Sequence, residues 1–286
     1  MNSDYRQDGP GRVGLVKEVT SLTNPIIKDI RALSQKKTRD ETNSFMAEGL
    51  KLVIDALDLG WTIRTLVYSK NAKGKPAVEQ VAAKTVAKGG LVLEVSEKVL
   101  VAITKRDNPQ AVVGIFEQRM GHLRDVRPKS GETYVALDRV RDPGNLGTII
   151  RTADASGASG VVLVGETTDP FSLETVRATM GSVFAMPVYR ATVDEFIKWQ
   201  KQAGVSVVAT HLAGAVDYRT IDYKSKPVVI LMGNEQAGLP DQLAKGANAL
   251  ARIPQAGRAD SLNLAIATGI MLFEARRHLL TLDGKA

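Results

Sequence analysis

Five short apolar runs in the second half of the chain restrict its fold more than any other feature. They are rich in β-branched residues, alternate with stretches of helical spacing, and cover residues 134–137, 161–164, 205–209, 228–232 and 249–253. Continuous apolar strands that alternate with helices are typical of a parallel sheet that is buried on both faces. We therefore predict an α/β domain that binds its ligand beyond the carboxyl ends of the strands.

The first half of the chain predicts a smaller α/β domain. One helix begins at Asn24-Pro25, a second follows Phe45, and shorter apolar runs then alternate with further helical stretches. These runs predict strands near 63–68, 91–94 and 111–116, with helices near 77–88 and 97–103. The predicted bounds are a flexible tail at 1–20, the small domain at 21–119, a charged linker at 120–131 and the second domain at 132–283.

The composition excludes several classes of protein. The 286 residues include no cysteine, which excludes disulfides and thiolate metal sites, and the histidines His122, His211 and His278 are scattered. We therefore expect no metal. No apolar run reaches 18 residues and the first twenty residues lack the apolar core of a signal peptide, so we expect a cytoplasmic protein without membrane spans.

The net charge of +7 lies in the amino-terminal half. Residues 1–130 contain 22 Lys and Arg against 15 Asp and Glu, whereas residues 131–286 contain 16 of each class. A basic domain is typical of proteins that bind nucleic acid, and evenly spread solubilising lysines are the alternative. Lys36, Lys37 and Arg39 form the densest early cluster, which we interpret as a nucleic-acid contact or as a solvated helix end.

Polar residues follow three of the apolar runs. After the run 134–137, the turn 142–145 leads into a helix that Asn145 can cap. Arg151 lies six residues further on, beside two isoleucines, so we expect it close to the buried face of that helix. Because a guanidinium stays charged, Arg151 needs an anionic partner, either a ligand or a structural ion pair such as one with Glu235.

The second polar segment follows the run 228–232. Gly233 and Gly238 bracket Asn234, Glu235 and Gln236 in a loop. Glycine lets the backbone approach a ligand closely or adopt a positive φ. Glu235 could accept hydrogen bonds from an arginine or a ligand, or it could be a solvated acid in a loop that leads into a helix.

The third segment runs from Pro254 and Gly257 to Ser261-Leu262-Asn263, where a long apolar helix begins. A helix that is apolar on most sides is buried, so this triplet lies at the mouth of a core helix, as a ligand contact or as a plain cap. The sequence has no Walker loop, no G-x-G-x-x-G after a strand and no G-x-S-x-G. The three segments together predict a small-molecule site with polar side chains and no metal.

These residues resemble the three ordered motifs of the SpoU/TrmH-type RNA 2′-O-ribose methyltransferases. The motifs are Asn145 with Arg151, the loop Gly233-Asn234-Glu235, and Ile253-Pro254 leading to Ser261-Leu262-Asn263. The first half is similar, more loosely, to the substrate-binding domain that many members carry, through Asn24-Pro25, Phe45, Glu48-Gly49 and residues 108–114. One departure is Ala265-Ile266-Ala267, where relatives often have a serine after the asparagine.

The resemblance implies a carboxyl-terminal SPOUT domain with an α/β trefoil knot, a smaller amino-terminal domain like ribosomal protein L30e, and a homodimer. It also implies S-adenosylmethionine as the cofactor, with contacts at Thr210, Gly233, Ile253 and Leu262. The implied catalytic and RNA-positioning residues are Asn145, Arg151, Glu235, Ser261 and Asn263. The residues expected to bind RNA are Lys36, Lys37, Arg39, Arg141 and Arg177, with a surface or structural role as the alternative for Arg177.

The mechanism proposed for the family makes Arg151 the base that removes the 2′ proton, assisted by an RNA phosphate. Because the pKa of arginine lies above about 12, Arg151 could equally hold the phosphate and stabilise the developing alkoxide. We assign Asn145 and Asn263 to positioning, Glu235 to orienting Arg151 or closing the site, and Ser261 to ordering its loop.

We predict an enzyme that methylates a ribose 2′-hydroxyl of structured RNA. Ribosomal RNA is favoured by analogy with members that carry the extra domain, and tRNA is the alternative. A catalytically silent RNA-binding or ribosome-assembly factor is the main rival from another class, and the intact motifs argue against it. An enzyme that acts on a small molecule would not need the basic amino-terminal domain.

Overall fold

A computed structural model describes residues 15–211 and 216–282, which divide into two compact units. The amino-terminal unit contains the residues up to Gln118 together with Phe171–Phe184. The carboxyl-terminal unit contains Arg119–Pro170 and the residues from Ala185 onward. Within the described part of the chain, no helix is long and apolar enough to cross a membrane.

The amino-terminal unit contains a mixed five-stranded sheet, which confirms the smaller α/β domain. Its strands are β1 (Leu15–Val19), β2 (Ser44–Glu48), β3 (Ile63–Ser69), β4 (Leu91–Val95) and β5 (Val112–Glu117). Its helices are α1 (Pro25–Ala32), α2 (Lys36–Thr42), α3 (Leu50–Asp58), α4 (Pro76–Ala87), α5 (Glu97–Thr104) and α7 (Leu173–Thr179). The strand order is β1-β4-β3-β5-β2, and β5 is antiparallel to both of its neighbours.

The last part of the predicted tail is not a tail. Leu15–Val19 forms β1 and pairs in parallel with β4 at the edge of the sheet. Val19 is buried, whereas the four residues before it are exposed, as expected of an edge strand. Lys17 and Glu18 interrupt the apolar pattern, which is why the sequence did not indicate this strand. Residues 1–14 lie outside the described residues.

The amino-terminal unit is built from two separate stretches of the chain rather than the single stretch 21–119 that was predicted. The rings of Phe171 and Phe184 lie 4.8 and 5.8 Å from the ring of Phe45. The indole nitrogen of Trp61 also donates to the carbonyl oxygen of Phe184 at 2.8 Å. These contacts join residues more than a hundred positions apart, so no local pattern in the sequence could indicate them.

The carboxyl-terminal unit contains the predicted parallel sheet. Its strands are β6 (Gly121–His122), β7 (Thr133–Asp138), β8 (Gly160–Val164), β9 (Val188–Ala191), β10 (Ser206–Thr210), β11 (Val216–Asp217), β12 (Val228–Met232) and β13 (Ala249–Arg252). Its helices are α6 (Pro143–Ala155), α8 (Val193–Ala203), α9 (Asp241–Gly246) and α10 (Leu264–Arg276). The strand order is β11-β13-β10-β12-β7-β8-β9-β6, and each of these neighbouring pairs is parallel.

Both faces of this sheet are buried, as the apolar runs predict. Val135 and Leu137 of β7 pack into a core with residues of α6 and α10, including Ile149 and Leu272. Tyr134 and Ala136 of the same strand pack on the opposite face, in a core with residues of α8 and α9. Since successive side chains of a strand point to opposite faces, a strand covered on both sides must be apolar throughout.

Part of the predicted linker at 120–131 belongs to this unit. Gly121–His122 forms β6 and pairs with β9. Leu123 and Val126 are buried, and the Val126 carbonyl oxygen accepts a hydrogen bond from the Trp199 indole at 3.1 Å. The segment was interpreted as a linker because many of its residues are charged or polar. The charges hid the two apolar residues that anchor it to the core.

Candidate active site

The three polar segments predicted from the sequence lie around one cavity of about 650 Å³ in the carboxyl-terminal unit. We call it the strand-end cavity, because it lies where β10, β12 and β13 end. Eight of the nine residues predicted for catalysis or cofactor binding line it: Asn145, Thr210, Gly233, Glu235, Ile253, Ser261, Leu262 and Asn263. The ninth, Arg151, does not.

Asp142, rather than Asn145, caps α6. Asp142 Oδ1 accepts a hydrogen bond from the backbone N–H of Asn145 at 2.6 Å, and helix α6 begins at Pro143. A carboxylate is a good N-cap acceptor, and proline is well suited to the first turn. Asn145 therefore lies inside the first turn, where its side chain is available to other partners.

Three polar side chains are linked by hydrogen bonds at the mouth of the strand-end cavity. Asn145 donates from Nδ2 to Glu235 Oε1 at 3.2 Å, and Asn263 donates from Nδ2 to Asn145 Oδ1 at 2.9 Å. Asn263 also caps α10, because its Oδ1 accepts from the backbone N–H groups of Ala265 and Ile266. Asn263 is therefore the cap of α10, one of the two alternatives, and the same side chain also lines the strand-end cavity.

Residues 233–238, which we call the Glu235 loop, form a tight turn. The backbones of Asn234 and Gly238 pair through two hydrogen bonds of 3.0 and 3.2 Å. Asn234 Oδ1 accepts from the N–H groups of Gln236 at 3.0 Å and Ala237 at 2.9 Å. A Cβ atom on Gly233 would lie 2.7 Å from the backbone carbon of Gly238, so this position requires glycine.

Arg151 is exposed on α6, and its guanidinium has no hydrogen bond or ion pair with the residues that the structure describes. The expectation that Arg151 lies close to the buried face is therefore wrong. The alternative of an ion pair with Glu235 is not found either, because the Glu235 carboxylate accepts a hydrogen bond from Asn145. Six residues along an α-helix turn the side chain by about 240°, so Asn145 and Arg151 point in different directions.

Ser261 and Leu262 lie on an exposed stretch before α10. The Ser261 hydroxyl has no hydrogen bond within residues 15–211 and 216–282, so the predicted role in ordering its loop has no contact to support it. His211 and Arg252 also line the strand-end cavity, and the sequence analysis did not select them. His211 directly follows β10 and Arg252 is the last residue of β13. This position at the carboxyl end of a strand could have indicated both as site residues.

A second, more polar cavity of about 400 Å³ adjoins the first, and we call it the polar cavity. It shares Asn145, Asn234, Glu235, Gln236 and Asn263 with the strand-end cavity. Arg141 and Asp142 complete its lining. The predicted RNA-binding residue Arg141 is thus beside the predicted catalytic residues, and Gln236 is a neighbour that the sequence analysis left without a role.

The other predicted RNA-binding residues lie in the amino-terminal unit. Lys36 and Lys37 are exposed at the start of α2, with Lys37 3.9 Å from Glu41. Arg39 is buried, and its Nη1 donates to the carbonyl oxygen of Leu33 at 2.8 Å. The prediction that Arg39 contacts RNA is therefore wrong, because its guanidinium stabilises the turn that precedes α2.

Arg177 lies on α7 and has a structural partner. It donates from Nε to Glu48 Oε1 at 2.9 Å, and its Nη2 donates to the same carboxylate and to the Thr104 carbonyl oxygen. The Glu48 side chain is almost fully buried. This arrangement supports the structural alternative for Arg177.

No cluster of three or more histidine, aspartate or glutamate residues with the geometry of a metal site occurs in the described residues.

Comparison with known proteins identifies the family. Residues 132–273 match the model of the SpoU rRNA Methylase family, and residues 24–114 match the MRM3-like substrate binding domain. The chain is 31% identical over 261 residues to the 23S rRNA (guanosine(2553)-2′-O)-methyltransferase RlmP of Bacillus subtilis. The aligned region covers 91% of this chain and 100% of the relative. The chain belongs to the SpoU family. The predicted resemblance is thus confirmed.

Solved structures of rRNA methyltransferases agree with this assignment. An rRNA methyltransferase from Sinorhizobium meliloti is 79% identical, with a TM-score of 0.89 over 95% of this chain and 100% of that chain. An AdoMet-bound structure from the same organism is 81% identical, with a TM-score of 0.90 over 93% of this chain and 99% of that one. The predicted α/β class with a parallel sheet is confirmed.

Proposed function

We propose that this protein transfers a methyl group from S-adenosylmethionine to a ribose 2′-hydroxyl of ribosomal RNA. The observation that carries the proposal is the pair of hydrogen bonds that link Glu235 to Asn145 and Asn145 to Asn263. These side chains lie at the mouth of a cavity beyond the ends of parallel strands. Relatives with named activities support the reaction: RlmP and a 23S rRNA (uridine(2479)-2′-O)-methyltransferase of Streptomyces viridochromogenes are both ribose methyltransferases.

The protein is an S-adenosylmethionine-dependent methyltransferase, as the sequence predicts. The strand-end cavity fits the cofactor, since its volume is in the usual range for small-molecule sites and its lining is mixed. Met232, Leu239 and Leu262 provide apolar surface, whereas Thr210 and the Glu235 loop provide polar groups. We assign cofactor contacts to Thr210, Gly233, Ile253 and Leu262.

The bound cofactor supplies a methyl group on a positively charged sulfur, so that the 2′-oxygen forms the new C–O bond while the sulfur keeps the electron pair of the broken bond. The protein must align the 2′-hydroxyl and remove its proton. The polar cavity next to the cofactor is the place for the ribose, with Arg141 at its rim for a phosphate. Asn145 and Asn263 hold each other through one hydrogen bond, and Glu235 fixes the amide of Asn145.

The proposal includes a homodimer, which gives Arg151 a place in the reaction. Ile266 and Phe273 on α10 leave 56% and 46% of their surface exposed, with the partly exposed Ile270 between them on the same helical face. Arg151 is exposed on α6, which packs against α10. A second copy that covers this face would bury the apolar side chains. It would also bring Arg151 to an active site of the dimer, where Arg151 would hold an RNA phosphate or assist proton removal. The trefoil knot and a cytoplasmic location belong to the same proposal.

Methyl transfer from labelled S-adenosylmethionine tests the proposal. The acceptors are bulk ribosomal RNA and bulk tRNA from cells that lack this protein, so that the target ribose is unmodified. We expect label in ribosomal RNA with the wild-type protein. Arg151→Ala and Arg151→Lys should lose transfer while they keep cofactor binding. Label in tRNA would reassign the substrate, and absence of label in both, with the cofactor bound, would favour the silent RNA-binding alternative.

A further inference from the structure

Arg139 has a positive φ although it is not the C-cap of a helix, unlike the other non-glycine residues with a positive φ in the described ranges. Four non-glycine residues in the described ranges have a positive φ. Asn43, Lys105 and Met180 are the C-caps of helices, where the left-handed conformation is common. Arg139, at φ 49°, instead follows strand β7. Non-glycine residues adopt this conformation at a cost, and where the surroundings enforce it the site is often functional.

The ion pair with Asp138 fixes the Arg139 side chain. Nε and Nη2 of Arg139 donate to Asp138 Oδ2 at 2.9 and 2.7 Å. The Asp138 side chain is completely buried, and its Oδ1 has no hydrogen-bond partner among the residues that the structure describes. The guanidinium is therefore the main compensation for a buried charge, which restricts where it can move. The Arg139 N–H also donates to Val164 O at 3.0 Å.

Arg139 in turn holds both ends of the Glu235 loop. Its backbone carbonyl oxygen accepts from Asn234 Nδ2 at 2.9 Å, and its Nη2 lies 3.4 Å from the carbonyl oxygen of Gly238. Asn234 is also the residue whose Oδ1 closes the loop onto Gln236 and Ala237. The loop therefore depends on Arg139 through a backbone contact at its start and a side-chain contact at its end.

We propose that Arg139 is a positioning residue that holds the Glu235 loop in the shape that forms the wall of the cofactor site and presents Glu235 to Asn145. This inference rests on the proposed function for its catalytic part, whereas its cofactor part is independent of the RNA substrate. Glycine would adopt the same φ without strain, so the backbone alone does not require arginine. The guanidinium, which bridges Asp138 and Gly238, accounts for the choice.

Two variants separate positioning from folding. Arg139→Lys keeps a cation beside Asp138 but lacks the planar fork that reaches two acceptors at once. The double variant Asp138→Asn with Arg139→Gly removes both charges together and relieves the backbone, so no unpaired charge stays buried. Lys105→Gly is the matched control, because Lys105 also has a positive φ (56°) but caps a helix of the amino-terminal unit.

The first measurement is calorimetric titration of each full-length variant with S-adenosylmethionine, beside thermal unfolding without the cofactor. We expect the double variant to weaken binding about tenfold and Arg139→Lys to weaken it severalfold, with cooperative unfolding retained. Lys105→Gly should bind as the wild type does. Unchanged affinity in both Arg139 variants would overturn the inference, whether or not the protein methylates RNA.

The second measurement is a double-mutant cycle on methyl transfer to ribosomal RNA. If Arg139 acts through Glu235, then Arg139→Lys should lower kcat in the wild-type background but not in the Glu235→Gln background. Additive losses would show that Arg139 acts by another route and would reject the catalytic part. A wild-type protein without transfer activity would refute the proposed function, and the cofactor titration would still decide the positioning role.

Discussion

The side-chain amide of Asn263 donates a 2.9 Å hydrogen bond to the side-chain oxygen of Asn145, a residue 118 positions earlier in the chain. The same Asn263 side chain caps α10 through its oxygen. One asparagine thus connects the start of the core helix to the start of α6, and both helices present their first turns to the strand-end cavity. Asparagine can do this because it has an acceptor and a donor on one planar group.

Two substitutions of Asn263 should separate its two roles. Asn263→Asp keeps an oxygen to cap α10 but loses the N–H groups that reach Asn145, so we expect stability near that of the wild type and at least tenfold slower methyl transfer. Asn263→Ala removes both hydrogen-bonding groups and should also lower the free energy of unfolding by about 1 kcal/mol. Denaturant unfolding and turnover measured on the same samples check this, and equal turnover of the aspartate variant and the wild type would contradict it.

Gly233→Ala should open the Glu235 loop. The added Cβ would lie 2.7 Å from the backbone carbon of Gly238 and 2.8 Å from the backbone nitrogen of Leu239, and backbone cannot move aside as a flexible side chain can. We expect cofactor affinity to fall by a factor of about ten or more, on the order of 1.4 kcal/mol. Gly257→Ala is the control, since a Cβ there has nothing within 4 Å. Equal affinities of the two variants in calorimetry would count against the tight loop.

The sequence predicted the elements that a continuous local pattern marks. The runs at 134–137 and 228–232 are apolar throughout because both faces of β7 and β12 are covered, and each is found as a strand. Strand β9, with the sequence Val-Tyr-Arg-Ala, was missed because one of its four residues is charged and exposed. Short strands that depend on their neighbours give no periodicity of their own.

The site was predicted better than the contacts within it. The motifs placed eight residues around one cavity, but they did not identify Asp142 as the cap of α6 or the pairing of Glu235 with Asn145. An acidic residue three positions before Asn145 was a usable signal for the cap. The burial of Arg39 could not be inferred from the cluster Lys36, Lys37 and Arg39, because the sequence shows three basic residues but not the direction of each side chain.

The basic cluster of α2 should affect RNA binding through its two lysines. Replacing both Lys36 and Lys37 by alanine should reduce the slope of log K against log salt by about one unit or less for each phosphate that a lysine no longer neutralises. Arg39→Ala is the matched comparison: it should destabilise the amino-terminal unit and leave the slope unchanged, because its guanidinium is buried against the Leu33 carbonyl. Filter binding of ribosomal RNA over a range of salt measures both. An unchanged slope for the lysine variant would place the RNA-binding surface elsewhere.

Arg177→Ala should destabilise the amino-terminal unit more than any of these changes. It removes the main partner of Glu48, whose side chain is 4% exposed, and leaves Arg106 at 3.8 Å as the remaining cation. Breaking such a buried pair costs about 3–5 kcal/mol, whereas removing both charges costs less. We therefore expect the double variant Arg177→Ala with Glu48→Gln to recover part of the loss in denaturant unfolding. A double variant no more stable than Arg177→Ala would mean that Arg177 acts mainly through the Thr104 carbonyl oxygen at the end of α5.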